Sequence, residues 1–444
     1  MPDFFSLLNV QFDWNEFLNV AGDSPYVAMW YIFIHGGWIA VLWVLLWGAK
    51  YLWLDYIQTK NYLKKEWVVL KVRVPRTSEQ TPRAMENLFA SFAGAHSPFS
   101  WVEIWIQGET QSQISVEIAS NEGDVSYYVY CVNKMRDLVE AAIYAQYPDA
   151  DIDVVPDYAK NVPQRYPDEV WDLWGCEFMP VAPDPYPLKT YHDFEDAVSG
   201  EFKDPLAVLL ENFSRLGPGE FAWYQMVIVP TDQKEERKRA QAVIDKLKGT
   251  TKKETESLGM MILKLPITVL GAIINIFIPP PATKTKTKEE GAFPRMMAMT
   301  PGERDVLEAV EHKASQIGFA TKIRLVYVAK KEVMKKSRVA HPFIGAIKQM
   351  NTFDMQALKP DSKKTGVSGT LLFFKNTRNT IRKNSLIACY TSRASWRGLP
   401  RFNLCIEELA TLWHFPILIQ VKAPQLHRTQ AKKSEPPANI PFGM

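Results

Sequence analysis

The chain has 444 residues, room for about three folding units at roughly 150 residues each. Its apolar share of 47% and charged share of 23% exclude both a disordered chain and a bundle of many membrane helices, while leaving room for one or two spans. The four cysteines, Cys131, Cys176, Cys389 and Cys405, are too widely spaced for a zinc knuckle or a small disulfide framework, and read as buried thiols in a reducing compartment.

The net charge of +3 is unevenly divided. Residues 1–280 hold 24 basic and 37 acidic side chains, net −13; subtraction from the totals of 52 and 49 leaves 28 and 12 for residues 281–444, net +16. A basic back half suits phosphates, anionic lipid or an acidic partner, and equally a plain solvated surface.

In chain order, residues 1–26 carry no Lys or Arg and read as an extracytoplasmic segment, with a short interfacial helix over 4–18. The run that opens at Val27 and closes at Trp47 has 21 residues without Asp, Glu, Lys or Arg, the length that a helix needs to cross about 30 Å of hydrocarbon. Trp30, Tyr31, Trp47, Tyr51 and Trp53 mark its edges, so the transmembrane unit extends over 27–54. The N-terminal flank lacks the basic residues of a signal peptide, which favours retention. Asp3, Asp13, Glu16 and Asp23 precede the run, whereas Lys50, Lys60, Lys64 and Lys65 follow it. The positive-inside rule therefore predicts a single pass through the inner (cytoplasmic) membrane, with the N-terminus outside and the main domains in the cytoplasm. His35, beside Gly36 and Gly37, reads as a tolerated polar residue.

Residues 60–156 alternate between a strand (WVVLKVRVP), a helix over 82–92, strands in WVEIWIQ, SQISVEIAS and VSYYVYCV, a helix over 133–147 and a last strand, DIDVV. This order predicts a ferredoxin-like α+β layer with antiparallel strands. Trp101, Glu103 and Trp105 would share one strand face, which either stacks bases or covers a neighbouring element.

Residues 157–250 open a second α+β domain, with a helix over 205–216, the turn LGPGE and the strand FAWYQMVIVP. No GxxxxGK[ST] phosphate loop occurs anywhere, so NTP hydrolysis is not expected. Residues 251–300 combine an apolar run over 258–278, broken by Lys264 and Pro266, with a basic linker; they read as a non-spanning excursion resting on the bilayer. Residues 301–416 supply the basic second part, with a helix over 301–316, the strand TKIRLVYVA and helices over 330–350, 370–382 and 406–413, and residues 417–444 form a tail. The seven histidines are scattered, so neither a metal site, a catalytic triad nor a cofactor is expected.

Two stretches, SRLGPGEFAWYQMVIVP at 214–230 and LPRFNLCIEELATLWHFP at 399–416, carry a resemblance. They resemble uncharacterised membrane-anchored proteins that accompany, or are fused in front of, HerA-like and type IV secretion-like DNA-translocating ATPases, over residues 60–430. Here no motor follows, so ATPase activity is not carried over. The resemblance implies a non-enzymatic scaffold in a conjugative or secretion machine, recruiting a separately encoded ATPase and assembling as an oligomer. The short C-terminal helix offers Leu409, Leu412, Trp413 and Phe415 as a partner face, or as the closing element of its own domain. Lys331, Lys335 and Arg338, at helical spacing, together with Arg382, Lys383, Arg393 and Arg397, are the candidate contacts for DNA or another polyanion. A peripheral membrane enzyme acting on lipid or glycan is the alternative.

Overall fold

The computed structural model describes residues 13–75, 80–195, 202–249, 299–367 and 374–416. The apolar excursion over 258–278, the first residues of the proposed interfacial helix and the tail after 416 lie outside them. Two units are distinguished, Met1–Glu66 with Ser97–Gln111, and Trp67–His96 with Ser112–Met444.

In the first unit, Asp13 accepts a hydrogen bond from the Asn15 amide and so caps α1 (Trp14–Asp23). The chain continues into α2 (Pro25–Ile32) and α3 (Trp38–Lys64), joined by a π-helical turn, Phe33–Gly37. Gly36 sits at φ +123°, which a side chain would oppose, and the His35 ring nitrogen Nδ1 lies 2.8 Å from the Tyr31 carbonyl. Together Pro25–Lys64 make one candidate span of 40 residues, its apolar window not buried by protein. The WVEIWIQ motif is not a strand. Residues Glu103–Gln107 form a π-helical turn in the insertion between α4 (Pro82–Phe92) and β2 (Ile114–Asn121). That insertion folds back on α3, whose Trp53 indole donates to the Trp105 carbonyl at 3.0 Å. The alternating pattern arises here because a helical turn also sends Trp101 and Trp105, four residues apart, to one side.

The second unit is built on one antiparallel sheet of nine described strands. The first half runs β1 (Trp67–Arg73), α4, β2, β3 (Asp124–Val132), α5 (Arg136–Gln146) and β4 (Asp151–Val155), in spatial order β4-β1-β3-β2. The second runs β5 (Trp171–Pro180), α6 (Ala207–Ser214), β6 (Glu220–Pro230), β7 (Gly318–Lys330), α9 (Lys336–Gln349) and β8 (Leu358–Pro360), in order β6-β7-β5-β8. Each half is a ferredoxin-like βαββαβ unit with local order 4-1-3-2. They are not separate domains. Edge strands β2 and β6 pair from Ile114↔Ile228 to Asn121↔Phe221, so the corresponding strands of the two halves meet about a pseudo-twofold axis. Pairing removes two exposed edges and buries Ile118, Tyr224 and Trp223 completely.

Between β6 and β7 lies α7 (Gln233–Lys248), begun by the Asp232 cap; α8 (Pro301–Ser315) is begun by a reciprocal Thr300–Glu303 capping box. After β8, α10 (Lys375–Thr391) is followed by β9 (Phe402–Cys405), which extends the pairing of β7, and by α11 (Ile406–Leu412). One sheet face packs on helices: Ser120 donates to the Phe213 carbonyl of α6 at 2.6 Å, and the Phe343 ring of α9 meets Tyr224. The opposite face, left open in a minimal ferredoxin-like layer, is covered by α10 and the loop after it.

Leu409, Leu412, Trp413 and Phe415 are buried. Trp413 packs edge-on against Phe89 and Tyr127 and meets Phe415. These side chains close the domain and are out of reach of a partner. Trp413→Ala should cost about 3–5 kcal/mol, seen as a lowered urea midpoint of the detergent-solubilised chain. A loss under about 1 kcal/mol would contradict this packing.

Candidate functional site

Chemistry-bearing side chains are concentrated on the sheet face beneath α10. Register pairing aligns one residue from each of seven neighbouring strands in a row: Asp153, Lys71, Tyr128, Glu117, Gln225, Arg324 and Glu177. The pseudo-twofold relates Glu117 to Gln225 and Tyr128 to Arg324. The four at the centre and right of this row are buried.

An unpaired charge in such a place costs several kcal/mol, and each of these four is paired. Gln225 donates to Glu117 at 2.9 Å and accepts from Arg324 at 3.0 Å; Arg324 also donates to Glu177 at 2.8 Å and to the Cys389 carbonyl at 3.3 Å. Glu117 further accepts from Ser115 at 2.7 Å and from the Tyr158 hydroxyl at 2.6 Å, which touches Tyr390 at 2.7 Å. On the other side Glu177 accepts the Leu399 amide at 2.6 Å. Gly398, at φ +91°, has room for no Cβ beside that carboxylate.

Arg393, a candidate for DNA contact, is buried in this network. Its guanidinium donates to Glu117 at 3.0 and 3.2 Å and to Asp157 at 2.8 Å, and lies 4.4 Å from the centre of the Tyr130 ring. No polyanion reaches it. The arrangement binds the segment around 389–399 to the sheet, and with its carboxylates filled by protein donors it functions as a clamp. Replacing Arg324 by Met should cost about 3–5 kcal/mol because the Glu177 carboxylate and the Gln225 carbonyl each lose their guanidinium donor, measurable by urea unfolding.

The other basic candidates are dispersed. Lys331 and Lys335 are exposed but precede α9, so the expected helical face with Arg338 does not form. Arg338 donates to Glu220 at 2.8 Å, Arg382 holds the Gly366 carbonyl at 2.8 Å, and Lys383 pairs with Asp172. Arg397 is exposed. Lys331, Lys335 and Arg397 are thus the members of the expected set left fully at the surface.

A second cluster escaped the sequence because its members come from four distant segments. Ligand-type atoms of Glu86 in α4, His192 in the Tyr191–Phe194 turn and Glu407 in α11 lie within 4.8 Å of one another. His312 Nε2 of α8 is 3.0 Å from Glu407 Oε1. Burial raises the Glu86 carboxyl above its ordinary range, and Glu407 pushes it the same way. Two carboxylates and an imidazole are a donor set for a divalent cation such as zinc or manganese. His312 supplies Glu407 with a charge partner of the protein's own whenever it is protonated.

The cysteines are buried and unpaired, as the spacing indicated. Burial pushes both Cys131 and Cys176 up to about 12, and Tyr128 also to about 12. These groups keep their protons in the fold after they have lost them in the unfolded chain. Their contribution to stability is complete below about pH 9 and is lost as pH rises toward 12. Lys322, pushed down to about 8 by burial, acts oppositely between pH 8 and its ordinary value. Urea midpoints should therefore fall above pH 9, and the Cys131→Ala/Cys176→Ala double variant should show a flatter fall.

Residues 56–416 match the family model described as a domain of unknown function, DUF8128. The chain belongs to this DUF8128 family. Among curated proteins, none matches it significantly. The DUF8128 match covers the end of α3, the insertion, the sheet and the clamp.

Proposed function

We propose that this DUF8128 chain is a non-enzymatic scaffold, anchored in the cytoplasmic membrane by Pro25–Lys64, that presents its sheet domain to a separately encoded HerA-like or type IV secretion-like ATPase. The N-terminus lies outside and the sheet domain in the cytoplasm, following the distribution of Lys50, Lys60, Lys64 and Lys65 against the acidic flank. The observation that carries the reading is a 40-residue helical stretch, broken at Phe33–Gly37, without a protein cover over its apolar window, preceding a domain whose central ionisable groups are tied to one another. Such a domain is built for rigidity. A translocating motor exerts force on its mount, and a rigid mount transmits that force to the membrane.

In-cell cross-linking followed by detergent extraction tests the proposal. A cross-linked ATPase with a phosphate-binding loop is expected, from membranes that keep the chain after carbonate washing. Recovery in the carbonate-soluble fraction, or cross-links to metabolic enzymes alone, would contradict it. The remaining surface cations give a smaller DNA term than their number in sequence suggests. Lys331→Ala/Lys335→Ala should flatten the slope of log K against log salt by about 1.8 on duplex DNA, while Lys383→Ala, whose charge is already paired, should leave it unchanged.

A further inference from the structure

The insertion over 97–111 is held on the end of α3 by specific contacts. Besides the Trp53 bond, Asn61 donates to the Gln107 carbonyl and to Glu109 Oε1, each at 3.1 Å, and Lys65 pairs with Glu109 Oε2 at 3.2 Å. The Lys50 ammonium lies 5.1 Å from the centre of the Trp105 ring. Gly108 takes φ +73°, and a Cβ there would collide with Ile57. Its turn is capped from within, since the Ser100 amide and hydroxyl both donate to Glu103 at 2.7 Å.

The apolar side chains of this fixed turn point outward. Trp101 is 67% exposed, Ile106 58% and Val102 47%, while Leu52 on the neighbouring helix is 73% exposed. Exposed Trp, Ile and Val on a docked turn need an apolar cover, and the position along α3 indicates which one. At 1.5 Å per residue, the 27 residues of α3 beyond the break at Phe33–Gly37 alone extend about 40 Å, more than the roughly 30 Å of hydrocarbon, so the C-terminal end of that helix emerges from the bilayer. The turn docks where that emergence falls, among the aromatic residues Tyr51, Trp53 and Tyr56 and the exposed cations Lys50, Lys60 and Lys64. This is the composition of a headgroup boundary, with Trp at the interface and Lys toward lipid phosphate.

We infer that residues 97–111 are a second, non-spanning membrane contact, inserting Trp101, Val102 and Ile106 into the acyl-headgroup boundary of the leaflet through which α3 leaves. The inference rests on the anchor reading and adds to it. The sheet domain would then meet the membrane through a wedge as well as through a single helix.

The test uses the full chain in liposomes of mixed phosphatidylcholine and phosphatidylglycerol, with an environment-sensitive thiol dye at Val102→Cys, Ile106→Cys, Val41→Cys or Phe353→Cys. The native cysteines are at most 3% exposed and should not label. Dye at 102 and 106 is expected to emit to the blue of dye at 353, and to lose fluorescence to lipids with a shallow spin label more than to those with a deep one. Dye at 41 should show the opposite depth preference. Quenching at 41 with none at 102 and 106 would overturn the wedge and leave the anchor standing. Absence of quenching at all three would overturn both.

Discussion

A guanidinium with no access to water stands near the centre of the sheet, and the second unit depends on its being satisfied. The guanidinium of Arg324 carries five N–H donors in a planar fork, so it requires acceptors on every side. Glu177 on β5 and Gln225 on β6 supply them from the sheet, and carbonyls at 389 and 394 supply them from above. Gln225 in turn orients Glu117, which holds Arg393. One chain of hydrogen bonds therefore crosses the seam between the two ferredoxin-like halves and also fastens the covering segment. Hydrophobic pairing alone would join β2 to β6, but alternation tolerates a register slip by two residues. A slip would leave Glu117 facing no Gln225 amide and carry it away from Arg393, so buried charge penalises it heavily.

The same economy explains why the basic back half is less cationic at its surface than its composition suggests. Arg324, Arg338, Arg382, Lys383 and Arg393 each hold a named carboxylate or carbonyl. The acidic front half supplies several of those carboxylates, Glu117, Asp157, Asp172, Glu177 and Glu220. The two halves of the chain are unequal in charge because they are complementary in the fold.

The strands were legible wherever β-branched and aromatic residues alternated, in WVVLKVR, ISVEIASN and DVSYYVYCV, and the βαββαβ order followed from them. The fused sheet was not, because edge pairing between β2 and β6 leaves no local mark. WVEIWIQ misled because a period of two and a helical step of four agree over so short a run. For the clamp, Glu117 and Arg393 are 276 residues apart. A polar residue amid an apolar strand, as in ISVEI or QMVIV, was the available signal, and it pointed to a buried partner rather than to a ligand. Sequence position alone does not reveal which cations have internal partners, so Arg338, Arg382, Lys383 and Arg393 look like surface charges until the fold pairs them.

The central structural claim is that two ferredoxin-like halves and the cover after β8 form one cooperative body. Amide hydrogen exchange of the full chain in detergent measures this most directly. The account predicts that the β2, β6 and β7 amides are the slowest and share one opening free energy, equal to that of global unfolding. Exchange of the β1–β4 strands as a unit distinct from β5–β8, with β2 and β6 opening at different free energies, would contradict it.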